Sequence, residues 1–277
     1  MKRRSKVFLV GMLAVFSLET ASSALPAETY TFGVVPQFEQ RQLLTTWKPL
    51  LEELQRRTGL SFRLAGVPTI PAFEVEFIKG SYDFVYMNPY HFLKANTSQG
   101  YVPIVRDGAP LQGILVVRRD SGIQSPAELD GRTVAFPAPN ALGASLLMRA
   151  DLARVHQVDV APLYVKTHNS VYLHVIKGLA EAGGGVGKTL AEQEQPIRDS
   201  LRILYVTRDM PSHPVAVHPR VPKADAEKVR AALLALAGEP EGAALLARIP
   251  MKRPVAAAMD DYEVMRGWGL DDFWVED

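Results

Sequence analysis

The sequence predicts an α/β protein of two lobes, each a mixed, mainly parallel sheet flanked by helices. Three observations carry this. Short apolar strands alternate with amphipathic helices from residue 29 onward. The alternation breaks off near residue 118 and restarts at Ser125-Pro126-Ala127-Glu128, a Ser cap with Pro at the first helical position. The 277 residues are 47% apolar and 22% charged, enough for one large or two medium cores, which excludes disorder, collagen and coiled coil for the whole chain.

Thr29–Val35 is the first strand, stopped by Pro36. Leu43, Leu44, Trp47, Leu50, Leu51 and Leu54 recur at helical spacing, so Leu43–Arg57 is a helix ended by Gly59. Strands follow at Ser61–Leu64 and Phe84–Met87, with a helix over Ile70–Lys79 between them. Asn88 caps a short helix over Pro89–Asn96, and Tyr101–Arg106 and Leu111–Arg118 are further strands. After the restart come strands at Thr133–Phe136, Leu163–Val165 and Leu201–Thr207, with helices over Ala141–His156 and Val171–Ala180. Val215–His218 is a returning strand and Ala224–Ala237 a strong helix. The stretch Asp260–Asp277 is acidic and aromatic, and reads as a tail packed over a lobe by Trp268, Phe273 and Trp274. The expected division is a leader at 1–24, a first lobe at 25–113, a second at 114–210, and a return with C-terminal helices and tail at 211–277. Hinge segments are expected at Gln112–Arg118 and Arg208–Val215, the latter stiffened by Pro211 and Pro214.

The leader is read from its own chemistry. Lys2, Arg3, Arg4 and Lys6 precede an apolar run from Val7 to Leu18, and Ser22 and Ala24 fit the small-x-small cleavage rule. A run of twelve residues is too short for the ~20 that cross a bilayer. Removing residues 1–24 takes away four cations and Glu19, so 31 positive and 30 negative residues become 27 and 29, a net charge of −2. No basic field remains to draw nucleic acid. With no cysteine there is no disulfide, no nucleophilic thiol and no lipidated Cys, so the expectation is a periplasmic protein that is not a lipoprotein.

Ligands of open α/β sheets sit beyond the carboxyl ends of strands, where loops open helices. Four such loops occur, at Pro36–Glu39, Met87–Tyr90, Ala138–Ala144 and Thr167–Ser170. His168 stands in the last, where ring, amide, hydroxyl and backbone groups offer donors to an anion, or simply cap the helix. Tyr90 and Asn88 lie at the bend made by Pro89. The run Ala182–Thr189, AGGGVGKT, approaches a phosphate-binding loop, but it follows a helix where that loop must follow a strand, so a tight turn and short strand is the better reading. The six histidines have no HExxH and no carboxylate cluster around them, and no GxSxG occurs, so neither a metal nor a catalytic nucleophile is indicated.

Four segments occur in an order that resembles a known family: YDFVYMNPYHF at 82–92, FPAPNALGASLL at 136–147, THNSVYLHVIKGLAEAGGG at 167–185 and RDMPSHPVAVHP at 208–219. Together they are similar to the phosphate/phosphite/phosphonate-binding proteins of ABC transporters, within the type II periplasmic binding protein fold. The resemblance implies a ligand Tyr at Tyr90, a hydroxyl loop at Pro139–Ser145 and a Ser-His-Asp-like turn at Thr167-His168-Asn169. Here the hydroxyl run is Asn-Ala-Leu-Gly-Ala, the acid of the turn is Asn169, and the family acid near AGGG is missing. The expected ligand residues are therefore Tyr90, Asn88, Asn140, Ala141, Gly143, Ala144, Thr167, His168, Asn169 and Ser170. The expected function is capture of a small oxyanion or related polar solute by a monomer that closes on it, with an ABC permease as partner and no cofactor, metal or catalysis. A ligand sensor of the same fold feeding a membrane sensor kinase is the alternative, and an exported enzyme on this fold the third reading.

Overall fold

A computed structural model describes residues 29–249 and 251–276. The leader lies outside the described residues. Strands β1 (Thr29–Val34), β2 (Ser61–Ala65), β3 (Phe84–Tyr86) and β4 (Val102–Asp107) alternate with helices α1 (Gln40–Thr58), α2 (Ile70–Ile78) and α3 (Pro89–Gln99). Strand β5 (Gly113–Arg118) opens the second sheet, followed by β6 (Thr133–Phe136), α4 (Leu147–Arg154), β7 (Ala161–Tyr164), α5 (His168–Ile176) and β8 (Ala182–Val186). Then come α6 (Gly187–Ala191), α7 (Gln195–Ser200) and β9 (Leu201–Val206). The chain returns through β10 (Pro214–Val217), α8 (Lys223–Leu236), α9 (Pro240–Arg248), β11 (Pro254–Ala256) and α10 (Asp260–Glu263).

The first sheet has the order β11-β4-β10-β3-β1-β2 and the second β7-β6-β8-β5-β9. β1 pairs in parallel with β2 and β3, and β10 runs antiparallel between β3 and β4, so four of the six strands share a direction. In the second sheet β5 alone is reversed, between β8 and β9. The predicted alternation thus holds, with β10 and β11 antiparallel in the first sheet and β5 in the second.

The periodicity of α1 does what it promises: Leu43, Trp47, Leu50, Leu51 and Leu54 are buried, and Gly59 ends the helix at φ 70°. They pack on Phe32 and Tyr86 of the sheet through the Trp47 ring, 5.7 and 4.8 Å from those rings. The predicted helix over Ala141–His156 begins differently. Leu142–Leu146 is a π-helical turn, with Leu146 N–H donating to Ala141 O at 3.1 Å and Leu147 N–H to Leu142 O. The helix placed at Val171–Ala180 starts earlier, at the Thr167 cap, and stops before Gly178 at φ 69°. The first crossing between sheets also shifts. Gly113–Arg118 is paired on both sides within the second sheet, which leaves 108–112 and 207–213 as the connections. They are pinned to each other where Leu111 and Met210 exchange backbone hydrogen bonds of 2.8 and 2.9 Å.

Candidate functional site

The carboxyl ends of both sets of parallel strands meet at one cavity of about 20 Å³, room for about one water. The first lobe contributes Val35 and Gln37 after β1, Asn88 after β3 and His213 before β10; the second contributes Ala141–Ala144, His168 and Val186. Eight of its twelve lining residues are apolar, counting Gly143, and none carries a formal charge when the two histidines are neutral.

The glycine run explains how the second-lobe wall gets so close. A Cβ on Gly184 would lie 1.8 Å from Ala144 O, and one on Gly113 2.0 Å from Gly143 O. The turn therefore lies directly against β8 and β5, and only glycine permits that contact. This is the structural role of AGGGVG: Gly183–Gly185 are inside a central strand, as a cradle for protein and not for phosphate. With the turn seated there, the N–H groups of Leu142, Gly143 and Ala144 open a continuous helical run through Arg154 and make no backbone hydrogen bond among the described residues.

His168 is 2% exposed and its ring is held by Thr189. Thr189 Oγ1 donates to Val186 O at 2.9 Å, so its lone pairs accept from Tyr172 Oη at 2.7 Å and from His168 Nδ1 at 3.2 Å. Nδ1 then carries the proton and Nε2 is an acceptor. Burial lowers the His168 pKa from 6.5 to about 4, so the ring is neutral at physiological pH. The ring is therefore not a cationic donor at neutral pH. Lys166 turns the chain into this loop in the left-handed region at φ 75°. The neighbouring expected residues are occupied elsewhere. Thr167 caps α5 by accepting from Ser170 N–H at 3.2 Å, the two hydroxyls bond each other at 3.0 Å, and Asn169 Oδ1 accepts from Gln193 at 2.8 Å.

Asn140 and Tyr90 are also placed away from the cavity. Asn140 Nδ2 donates to Glu74 Oε2 at 2.9 Å and to Val275 O at 2.7 Å, while its Oδ1 accepts from Val275 N–H at 3.0 Å. Its carbonyl accepts from Asn88 Nδ2 at 3.2 Å, and Asn88 Oδ1 caps α3 through His91 N–H at 2.8 Å. Glu74 in turn bonds His91 Nε2 at 2.9 Å. This is a polar seam between the lobes. Tyr90 Oη donates to Asp271 at 2.9 Å, and its ring packs 5.9 Å from Trp274. The C-terminal stretch thus lies across both lobes, since Arg149 and Arg154 of α4 bond the carbonyls of Phe273, Trp268 and Gly269.

Of the expected residues, Asn88, Ala141, Gly143, Ala144 and His168 line the cavity and Tyr90, Asn140, Thr167, Asn169 and Ser170 do not. Gln37 and His213 were not singled out. Gln37 lay in a loop the strand-end rule had marked, whereas His213 had no signal beyond a Pro-rich return. Its ring stacks on Tyr86 at 5.3 Å, and burial lowers its pKa to about 3.

Two α/β lobes that close polar loops and helix starts around one small compartment define a solute-binding protein. The chain belongs to the family of periplasmic substrate-binding proteins of phosphonate ABC transporters, whose family model matches residues 32–262. Its fold is similar to that of the binding component of an ABC phosphonate transporter from Pseudomonas aeruginosa, at 17% identity and TM-score 0.80, covering 90% of this chain and 87% of that one. PhnD1 from Prochlorococcus marinus, solved with methylphosphonate, matches at 14% identity and TM-score 0.80, over 88% of this chain and 97% of that one. The VFT2 domain of Bordetella pertussis BvgS matches more distantly, at 19% identity and TM-score 0.52, over 80% and 91% of the two chains. No described helix is long and apolar enough to cross a membrane.

Proposed function

We propose that this chain is exported by cleavage of residues 1–24 and captures a small phosphorus oxyanion with an apolar substituent, for delivery to an ABC permease. The observation that carries the reading is the wall made by Leu142–Ala144 N–H groups beside a neutral His168, in a compartment without side-chain hydroxyl donors. A helix start stabilises a negative charge placed at its N–H groups by roughly 0.3–1 kcal/mol through the dipole. His168 Nε2, as an acceptor, pairs with the remaining P–OH of a monoprotonated anion. The apolar residues Val35, Ile70, Leu111 and Leu142 suit a hydrogen or methyl substituent on phosphorus. Binding and release, with no bond made or broken, follow from lobe closure. Delivery to a permease is favoured over a sensor partner because the family model that matches residues 32–262 is that of phosphonate ABC transporter binding proteins.

Calorimetry of the purified chain with methylphosphonate, phosphite, phosphate and sulfate tests this. Methylphosphonate or phosphite should bind at least ~10-fold tighter than sulfate, which has no proton to give His168, a difference of about 1.4 kcal/mol. Equal or tighter sulfate binding would overturn the reading.

A further inference from the structure

Two buried polar groups near the site are incompletely satisfied. Tyr86, at the end of β3, is 1% exposed and its hydroxyl makes no hydrogen bond. Lys188, two residues past β8, has its ammonium out of contact with solvent and held by a single ion pair, to Glu192 Oε1 at 3.4 Å. One residue comes from each lobe, and both line the same two cavities, of about 90 and 580 Å³. Both adjoin the cleft. The larger shares Leu111 and His213 with the cavity at His168, and the smaller shares Val35 and Gln37 with it. Three compartments therefore ring the Tyr86–His213 stack.

The charges around that ring favour an anion. Lys188, Lys252 and Arg248 line the two outer cavities, and neither Lys252 nor Arg248 makes an ion pair among the described residues. Of the two carboxylates there, Asp107 is taken up by the backbone N–H groups of Ala109 at 2.6 Å and Arg253 at 3.2 Å. Only Glu192 is left, partly exposed and free to turn to water. A buried phenol without an acceptor, beside a buried ammonium with one long ion pair for its three donors, is costly unless a ligand or water completes the set.

We infer that Lys188 and Tyr86 form a second subsite, continuous with the His168 compartment, which receives a second acidic group on the bound solute. This rests on the oxyanion reading and narrows it: the solute is a bifunctional small acid, such as a phosphonate bearing a carboxylate.

Three probes of graded charge test the subsite by calorimetry: methylphosphonate, phosphonoacetate and 2-aminoethylphosphonate. Phosphonoacetate should bind at least tenfold tighter than methylphosphonate, and 2-aminoethylphosphonate weakest of the three. In Lys188→Met the ratio of phosphonoacetate to methylphosphonate affinity should fall at least fivefold, with a smaller fall in Tyr86→Phe, a variant that keeps the ring stack. Melting curves identify a variant that fails to fold, and the Tyr86→Phe ratio then decides. If methylphosphonate binds but phosphonoacetate has no advantage, or the ratio survives both substitutions, the subsite is refuted alone. Tighter binding of 2-aminoethylphosphonate also refutes it. If none of the three binds, the oxyanion reading falls with it.

Discussion

His168 does two things that pull a mutation in different directions. Its Nδ1 satisfies Thr189 inside the second lobe, and its ring closes the cavity wall. His168→Ala should weaken methylphosphonate binding by about 1–3 kcal/mol, the range for a lost charge-assisted bond or a stranded partner. Calorimetry on the folded variant checks this, and an unaltered Kd would reduce His168 to a structural role. Both buried histidines also set a pH dependence of stability. An unfolded His takes its proton near 6.5, whereas His168 and His213 hold out to about 4 and 3. The unfolded chain therefore binds more protons below 6.5, and stability falls as pH is lowered. Each contribution is complete above that value and is lost downward at about 1.4 kcal/mol per pH unit per group, until each folded pKa is reached. Urea unfolding from pH 7 to 4 should show this fall, with a shallower slope in His213→Gln. The sequence pointed to His168 because its loop followed a strand and opened a helix. It could not reveal the tautomer, which depends on Thr189, twenty-one residues away and inside the misleading AGGGVGKT run.

At the scale of elements, the loop that departs most from the family pattern, Asn140–Ala144, has two separate employments. Ala141–Ala144 wall the cavity, while Asn140 fastens the lobes through Glu74, Asn88 and Val275. Asn140→Ala removes three side-chain hydrogen bonds and strands the buried Glu74 oxygen. The expected result is destabilisation of about 2–4 kcal/mol in urea unfolding, with a larger radius of gyration in scattering without ligand. A compact unliganded variant would count against the seam. The alternating strands and the capped helices were legible because burial of one face imposes a period on the sequence, as at α1. Short elements such as α6, α7 and β11 were not, since six residues or fewer carry too little periodicity. The π turn was hidden for another reason: it is set by contact of Ala144 O with Gly184, a tertiary approach that local spacing does not encode.

For the whole molecule, the two lobes are joined by two strands of chain that bond each other through the Leu111–Met210 backbone bridge and through Gln112 Nε2, which donates to Asp209 at 2.6 Å. Such a narrow connection permits rotation about itself while each sheet stays rigid. We expect saturating methylphosphonate to hold the closed form and to shrink the radius of gyration in X-ray scattering relative to the unliganded chain. Unchanged curves would show that closure is not coupled to this ligand. The general architecture was readable because each lobe repeats the same alternation. The seam was not, since it joins residues 74, 88, 140 and 275, which no pattern within the chain connects.

The tail across the seam also makes the molecule its own optical reporter. Trp274 sits 5.9 Å from both the Tyr90 and His91 rings, with Lys94 Nζ 5.0 Å above it, while the adjacent residues Phe273 and Val275 are bonded to the opposite lobe. Parting of the lobes pulls on both sides of that indole and wets it, so its emission should move to the red and dim without any attached dye. Replacing Trp47 and Trp268 with Phe leaves Trp274 as the sole emitter among the three tryptophans of the chain, and titrating such a variant would follow opening and closing in real time.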